Sequence, residues 1–384
     1  MTFPHLPASD RKEIGNLALA WGTTRAALLL VGYLSLHLLP PAGPRMPGNL
    51  RWHPDRAPVL EIWARWDAEW YLLIAERGYA GSREVLRELP RYREEDASGF
   101  FPLYPIAVRW AGAALGDPVF GGIAVSNLCL LAAAWFLGRL VREDHGEAAA
   151  RWVPWVLFAF PTSLFLSAVY SESLFLMLAT GSVWLARERR WWVAGAVGGL
   201  AALCRPLGFL LMVPVGWEVA GDRGRGPLRF APLALIPAGT VAFLLHCRAT
   251  YGDFLAPLHR QDRWRGPGSG PWRAFLRFFE DPQVHGSHQS GLELAAAFLV
   301  LAALPLMFRR LRPGDSVYAA LTVAAPLCTS LWSFGRLTLA AYPLFHLIAI
   351  PCARRPWFAP AYLSLCLPLG ALFMSMFASG WWVG

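Results

Sequence analysis

Lysine is almost missing from this chain: of 35 basic residues, Lys12 is the only lysine. Charge of either sign is scarce as well, at 16% of 384 residues, against about 25% in soluble domains. So little charge excludes a chain that solvates its own surface. There is no Walker-type loop and no dinucleotide glycine motif after a strand, which argues against a nucleotide-driven pump on this chain. The six cysteines, Cys129, Cys204, Cys247, Cys328, Cys352 and Cys366, have no paired spacing. Neither a zinc knuckle nor a disulfide framework is expected, and they read as small apolar residues. His285 and His288 stand close together without a third ligand nearby, so no metal site is expected there. No repeat of fixed period stands out, and the one biased patch is Gly/Pro-rich, from Gly266 to Pro271.

What is present is apolar. Hydrophobic residues make up 55% of the chain, aromatics 14%, and mean hydropathy is +0.37. Apolar stretches near the 20-residue length of a bilayer span recur from end to end. The fold class expected is therefore all-α and integral to the membrane, with about eleven transmembrane helices in one domain over 1–384. The net charge of +9 comes from short arginine clusters between apolar stretches. That is the positive-inside pattern rather than the contiguous stripe of a nucleic-acid binder. Arginine in place of lysine, with abundant Ala, Gly and Pro, points to a GC-rich bacterial genome and hence a bacterial inner membrane.

Orienting the stretches by arginine places spans at 14–39, 118–139, 151–168, 173–187, 191–203, 207–220, 230–248, 291–308, 316–333, 337–351 and 357–378. The clusters Arg139/Arg142/Arg151, Arg187/Arg189/Arg190, Arg223/Arg225/Arg229, Arg309/Arg310/Arg312 and Arg354/Arg355 then share the cytoplasmic side. The first stretch is too long for a signal-peptide h-region and lacks a small-residue cleavage site. Segment 100–116, with two prolines and Arg109, is read as an interfacial or re-entrant helix; a crossing there would put the next cluster outside. The first outer loop with its interfacial helices covers about 40–116, and a second outer loop covers about 249–289.

Within the first loop, Ile62, Trp63, Trp66, Trp70 and Leu73 recur at helical spacing. Tryptophans on the apolar face of such a helix suit the membrane interface. Asp67 borders that seam, where partial burial would raise a carboxyl toward the range of a general base; a solvated acid on an interfacial helix has the same spacing. Glu69 lies about 200° around an ideal helix from Asp67, so both serve one site only if the helix starts near Asp67. Glu61 and Arg65 form an i,i+4 surface pair.

Glu172, Arg205 and Arg336 each interrupt an apolar stretch at the same predicted face as Asp67, and intramembrane charges are costly enough to invite a functional reading. Two arginines beside an acidic base suggest an anion site, because a guanidinium fork holds phosphate bidentately. Tyr71, Tyr104 and Tyr170, with Gln261 and Trp264 of the second outer loop, are candidates for substrate contact.

These residues sit in motifs that resemble a known family. Arg65-Trp66-Asp67-Ala68 followed by Trp70-Tyr71, then Gly78-Tyr79 and Phe100-Phe101-Pro102-Leu103-Tyr104-Pro105, look like the PIG-V family. It comprises the second mannosyltransferase of GPI-anchor assembly and its bacterial relatives, within the GT-C superfamily. Tyr170-Ser171-Glu172-Ser173, Cys204-Arg205-Pro206-Leu207-Gly208, Gly335-Arg336-Leu337 and Tyr342-Pro343-Leu344-Phe345 follow in family order. The resemblance implies an inverting, membrane-embedded glycosyltransferase using a polyprenyl-phosphate sugar, most simply mannose, at the extracytoplasmic face. Asp67 matches the family's first-loop acid and would deprotonate the acceptor hydroxyl. Charge and topology add phosphate binding by Arg205 and Arg336, and supporting roles for Glu172 and Glu69. No cofactor is required by this reading, although an acidic pair leaves room for a divalent cation. Partners are the lipid-linked donor, a lipid or glycan acceptor and the bilayer, not nucleic acid. A transporter or flippase of a lipid-linked saccharide and a non-catalytic assembly subunit are the alternatives.

Overall fold

The computed structural model describes residues 8–40, 57–89, 91–222, 226–280, 282–283 and 290–384. Within them the chain forms eighteen α-helices joined by short 3-10 turns, with no strand. In order these are α1 (Ala8–Leu38), α2 (Pro58–Glu61), α3 (Asp67–Arg87), α4 (Leu103–Leu115), α5 (Pro118–His145), α6 (Glu147–Ala150), α7 (Val153–Phe158), α8 (Glu172–Arg187) and α9 (Trp191–Cys204). Then come α10 (Met212–Gly221), α11 (Leu235–Tyr251), α12 (Ala256–Arg265), α13 (Arg273–Glu280), α14 (Gly291–Arg310), α15 (Pro313–Leu327), α16 (Phe334–Leu337), α17 (Tyr342–Arg354) and α18 (Phe358–Ala378). His285, His288, Arg223 and Arg225 lie outside the described residues.

The all-α membrane class holds, but the span count differs from the expected eleven. Among the described residues five helical stretches are long and apolar enough to cross a bilayer, and a sixth crossing results if Phe334–Ala340 and Tyr342–Arg354, bent by 84°, count as one. Proline explains much of the shortfall, since it removes a ladder hydrogen bond and clashes with the preceding turn. The stretch 151–168 breaks after α7 around Pro161, and 207–220 opens as a 3-10 turn at Pro206.

The break after α7 frees backbone carbonyls inside the protein, and Arg25 of α1 fills them. Its guanidinium donates to the Ser163 carbonyl at 2.9 Å, to the Phe158 carbonyl at 2.5 Å and to the hydroxyls of Ser163 and Ser167, each at 3.1 Å. A buried arginine is tolerated within a span because it satisfies irregular backbone that no water can reach. Elsewhere small residues let helices touch backbone to backbone: a Cβ added at Gly239 of α11 would run into the Gly199 carbonyl of α9.

The charged groups sort to two ends. Arg142 pairs with Glu13 at 2.7 Å, while Arg187 and Arg312 both reach Asp144, at 3.0 and 2.9 Å. The ends of α1, α5, α8 and α15 thus meet. At 13 residues α4 is roughly 20 Å long and leaves Trp110 and Ile106 exposed, as suits a helix lying at an interface.

Candidate active site

The first loop builds the site on a break. Trp66 takes a left-handed backbone (φ 61°, ψ −117°), and α3 begins at the next residue, Asp67. The expected amphipathic helix running on from Ile62 is thus corrected: Ile62 and Trp63 belong to the preceding turn. Nor does the tryptophan seam face lipid, because Ala68 to Ala75 are buried on every side. Trp70 stacks on Phe100 at 5.4 Å and meets Tyr92 and Trp264 edge-on. Burying so many aromatic rings together outweighs their placement in the interface, since each buries 150–250 Å².

Tyr170 anchors the break from below. Its hydroxyl donates to the Arg65 carbonyl at 2.9 Å and accepts from the Asp67 amide at 3.2 Å. With its backbone held, the Asp67 carboxylate reaches the Arg336 guanidinium at 2.6 Å. Arg336 also faces Glu172 at 3.5 Å, and Glu172 pairs with Arg205 at 2.6 Å. Two acids and two arginines, drawn from α3, α8, the turn after α9 and α16, therefore alternate in one chain of charges. The aromatic rings of Phe165, Tyr170 and Trp382 surround the Arg336 guanidinium at 5.0 to 5.5 Å. Glu172 is almost fully buried, and its Oε2 has no hydrogen-bond partner among the described residues. Asp67 is the most open of the four, its side chain 24% exposed.

All four charges singled out in the sequence converge. Glu69 is buried two residues on, toward Tyr92, whose phenol it helps to raise after burial itself. Tyr71 sits inside the cluster: its hydroxyl meets that of Ser171 at 2.8 Å, and Ser171 also accepts from Arg205 at 3.2 Å. Burial pushes the Tyr71 phenol up, so it stays neutral. Tyr104 is fully buried behind it, bonded to the Ser126 hydroxyl at 2.7 Å, and Tyr170 is the anchor just described. Trp264 of α12 packs on Phe100 and carries the Arg260 guanidinium on its face, while Gln261 is half-buried on the same helix. Arg260 and Arg263 clamp Asp96 at 3.2 and 2.7 Å, which ties the second loop to the first.

Two site residues were not foreseen. Glu293, three residues after the N-cap Ser290, has the spacing of a capping box, yet its Oε2 accepts from the Gly335 amide at 2.5 Å and so positions the turn bearing Arg336. Arg265 ends α12 and donates to the Trp332 carbonyl at 2.7 Å; its Nη1 has no hydrogen-bond partner among the described residues. Burial and then the charge of Arg336 lower its pKa to about 10. An Asp-Arg-Trp-Arg run gave no sign of which arginine turns inward.

A helical membrane protein with an alternating carboxylate–guanidinium cluster at one end of its bundle is the class these features define. Residues 56–212 match the model of the mannosyltransferase (PIG-V) family. The matched stretch overlaps the motifs of the resemblance and contains Asp67, Glu172 and Arg205, whereas Arg336 lies beyond it. The chain is 33% identical over 165 residues to GPI alpha-1,6-mannosyltransferase 2 of Mus musculus, covering 38% of this chain and 31% of that one. It is 30% identical over 157 residues to GPI mannosyltransferase 2 of Yarrowia lipolytica, covering 40% of each. The chain thus spans about a third of the length of the curated relatives it matches. Among solved structures it is similar to ArnT from Cupriavidus metallidurans bound to undecaprenyl phosphate, with a TM-score of 0.49 and 16% identity over 93% of this chain and 76% of that one.

Proposed function

We propose that this chain is an inverting mannosyltransferase of the GT-C type. It takes mannose from a polyprenyl-phosphate donor and passes it to a hydroxyl of a lipid or glycan acceptor. The reaction would run at the extracytoplasmic face of a bacterial inner membrane, the side opposite the arginine-rich helix ends. The observation that carries the reading is the Asp67–Arg336 contact at 2.6 Å, next to the Glu172–Arg205 pair.

An acceptor hydroxyl beside Asp67 would give its proton to the carboxylate as its oxygen attacks the anomeric carbon. The bond from that carbon to the phosphate oxygen breaks with inversion, turning a β-linked donor into an α-mannoside. Charge grows on the departing lipid phosphate, which is where Arg336, Arg205 and the bare Nη1 of Arg265 can meet it. Glu172 orients Arg205 and Arg336 together. The flippase alternative loses ground because the four charges of this cluster gather at helix ends, and the mid-span Arg25 is spent on backbone carbonyls.

The test is transfer of radiolabel from polyprenyl-phosphate mannose into membrane lipid extract. Asp67→Asn should cut incorporation by about 100-fold or more, the usual scale for a lost general base. Equal incorporation by wild type and variant would remove Asp67 from that role.

A further inference from the structure

At the arginine-rich end of the bundle a second cluster plays no part in the chemistry above. Glu172 opens α8 and Arg187 closes it, which puts roughly 22 Å between the two sites. Around Arg187 stand Asp144 near the end of α5, Asp315 near the start of α15, and His346 of α17. One ligand atom from each of Asp144, Asp315 and His346 lies within 4.8 Å of the others.

His346 is the anomaly. It is fully buried, and neither ring nitrogen has a hydrogen-bond partner among the described residues. Leaving such a group unmet costs about 1–3 kcal/mol. Its Nε2 faces Asp144 Oδ2 at 3.9 Å, too far for a hydrogen bond, and the His145 ring lies edge-on to its own. A gap of that length between a nitrogen and an oxygen suits a bridging ion, since each metal–ligand bond takes about 2.0–2.2 Å.

The surrounding charge also calls for a cation. Asp144, Asp315, Glu143 and Glu218 are matched, within ion-pairing distance, by two guanidiniums, those of Arg187 and Arg312. Both aspartates already have the orienting partners that metal ligands use. The Tyr342 hydroxyl donates to Asp315 Oδ1, and Arg312 donates to Asp144 Oδ1 at 2.9 Å. Their other oxygens, both named Oδ2, take Arg187 at 2.8 and 3.0 Å. Arg187 has Glu143 at 3.3 Å and Glu218 at 3.6 Å to turn to when a metal takes those oxygens.

We infer that Asp144, Asp315 and His346 form a divalent transition-metal site that latches α5, α15 and α17 together at the end of the bundle remote from the sugar-transfer cluster. One imidazole with two carboxylates suits zinc or manganese better than calcium or magnesium, which take oxygen ligands. Because α17 follows the bend after the Arg336 turn, a latch on His346 also holds the helix into which that turn leads.

The full chain, purified in detergent and stripped with chelator, is titrated with zinc, and bound metal is counted by mass spectrometry. Wild type should bind one zinc per chain and melt at a higher temperature with it. His346→Gln should weaken binding at least about 10-fold, the scale reached when even a supporting group around a metal is lost, and should lose the zinc-dependent rise in melting temperature. Asp67→Asn, folded alike and altered only at the far cluster, should bind as wild type does. Failure of wild type to bind stoichiometric zinc or manganese overturns the site, as does unchanged zinc affinity in His346→Gln.

Discussion

Removing the Arg336 guanidinium separates two jobs that one side chain performs. Arg336→Ala leaves the Asp67 carboxylate without its partner at 2.6 Å and takes from buried Glu172 the farther of two balancing fields. Breaking a buried ion pair from one side costs about 3–5 kcal/mol, because the stranded charge keeps its desolvation penalty. Asp67 is a quarter exposed, so water recovers part of this and about 3 kcal/mol is the expected loss. Adding Asp67→Asn removes the stranded charge. Unfolding in mixed detergent micelles should then show the double variant more stable than Arg336→Ala alone, with a coupling of about 1–3 kcal/mol. Sugar transfer should behave oppositely: Arg336→Ala should lower turnover by about 100-fold or more, as loss of a transition-state charge partner does, and the double variant should recover none of it. Additive stabilities would refute the claim that these groups act as a pair. Recovery of transfer in the double variant would refute a role for both in the reaction.

Three further perturbations probe how the site is held. Tyr170→Phe deletes the hydroxyl between the Arg65 carbonyl and the Asp67 amide; a loss of about 1–3 kcal/mol should appear in unfolding, with slower transfer as Asp67 drifts. Gly208→Ala places a Cβ against the Ala201 and Ala202 backbone. It should cost about 1–3 kcal/mol and disorder the turn that presents Arg205, read as a drop in both melting temperature and transfer. Hydrogen bonds from Arg87 and Arg83 hold the Glu94 carboxyl at about 2 against an ordinary 4.5. A lowered acid pKa stabilises above the unfolded value and loses that contribution as pH falls, so the melting temperature should decline between pH 4.5 and 2. Glu94→Gln should flatten that decline, and an identical pH profile in the variant would remove the ion pair as its cause.

Asp67, Glu172, Arg205 and Arg336 were legible because a charge in an apolar stretch needs a reason, and a shared face supplies a common one. The start of α3 was not, because Trp66 holds a backbone that tryptophan seldom adopts, and only the Tyr170 hydroxyl and the ring of Trp382 around it explain why. Lengths of spans misled wherever proline cut them, and the compensation for one cut came from Arg25, 133 residues away from the Phe158 carbonyl it meets. Glu293 and Arg265 hid for a related reason: a capping box and a basic loop each have an ordinary local reading, and only tertiary packing turns those side chains inward. The aspartates and histidine around Arg187 come from three helices, and no sequence spacing announces such a set.

The helix from Glu172 to Arg187 works as a measured spacer with a phase as well as a length. Each residue added or removed between those ends would turn one charge about 100° relative to the other and shift it by about 1.5 Å. One end would then point away from its partners. Evolution can change which side chains line this helix, but it can change the number of residues only by steps that restore the angle, and even a restored angle leaves Arg187 a full turn out of reach. The count of residues between the two charges is thus itself a constraint, one that substitution data alone would never reveal.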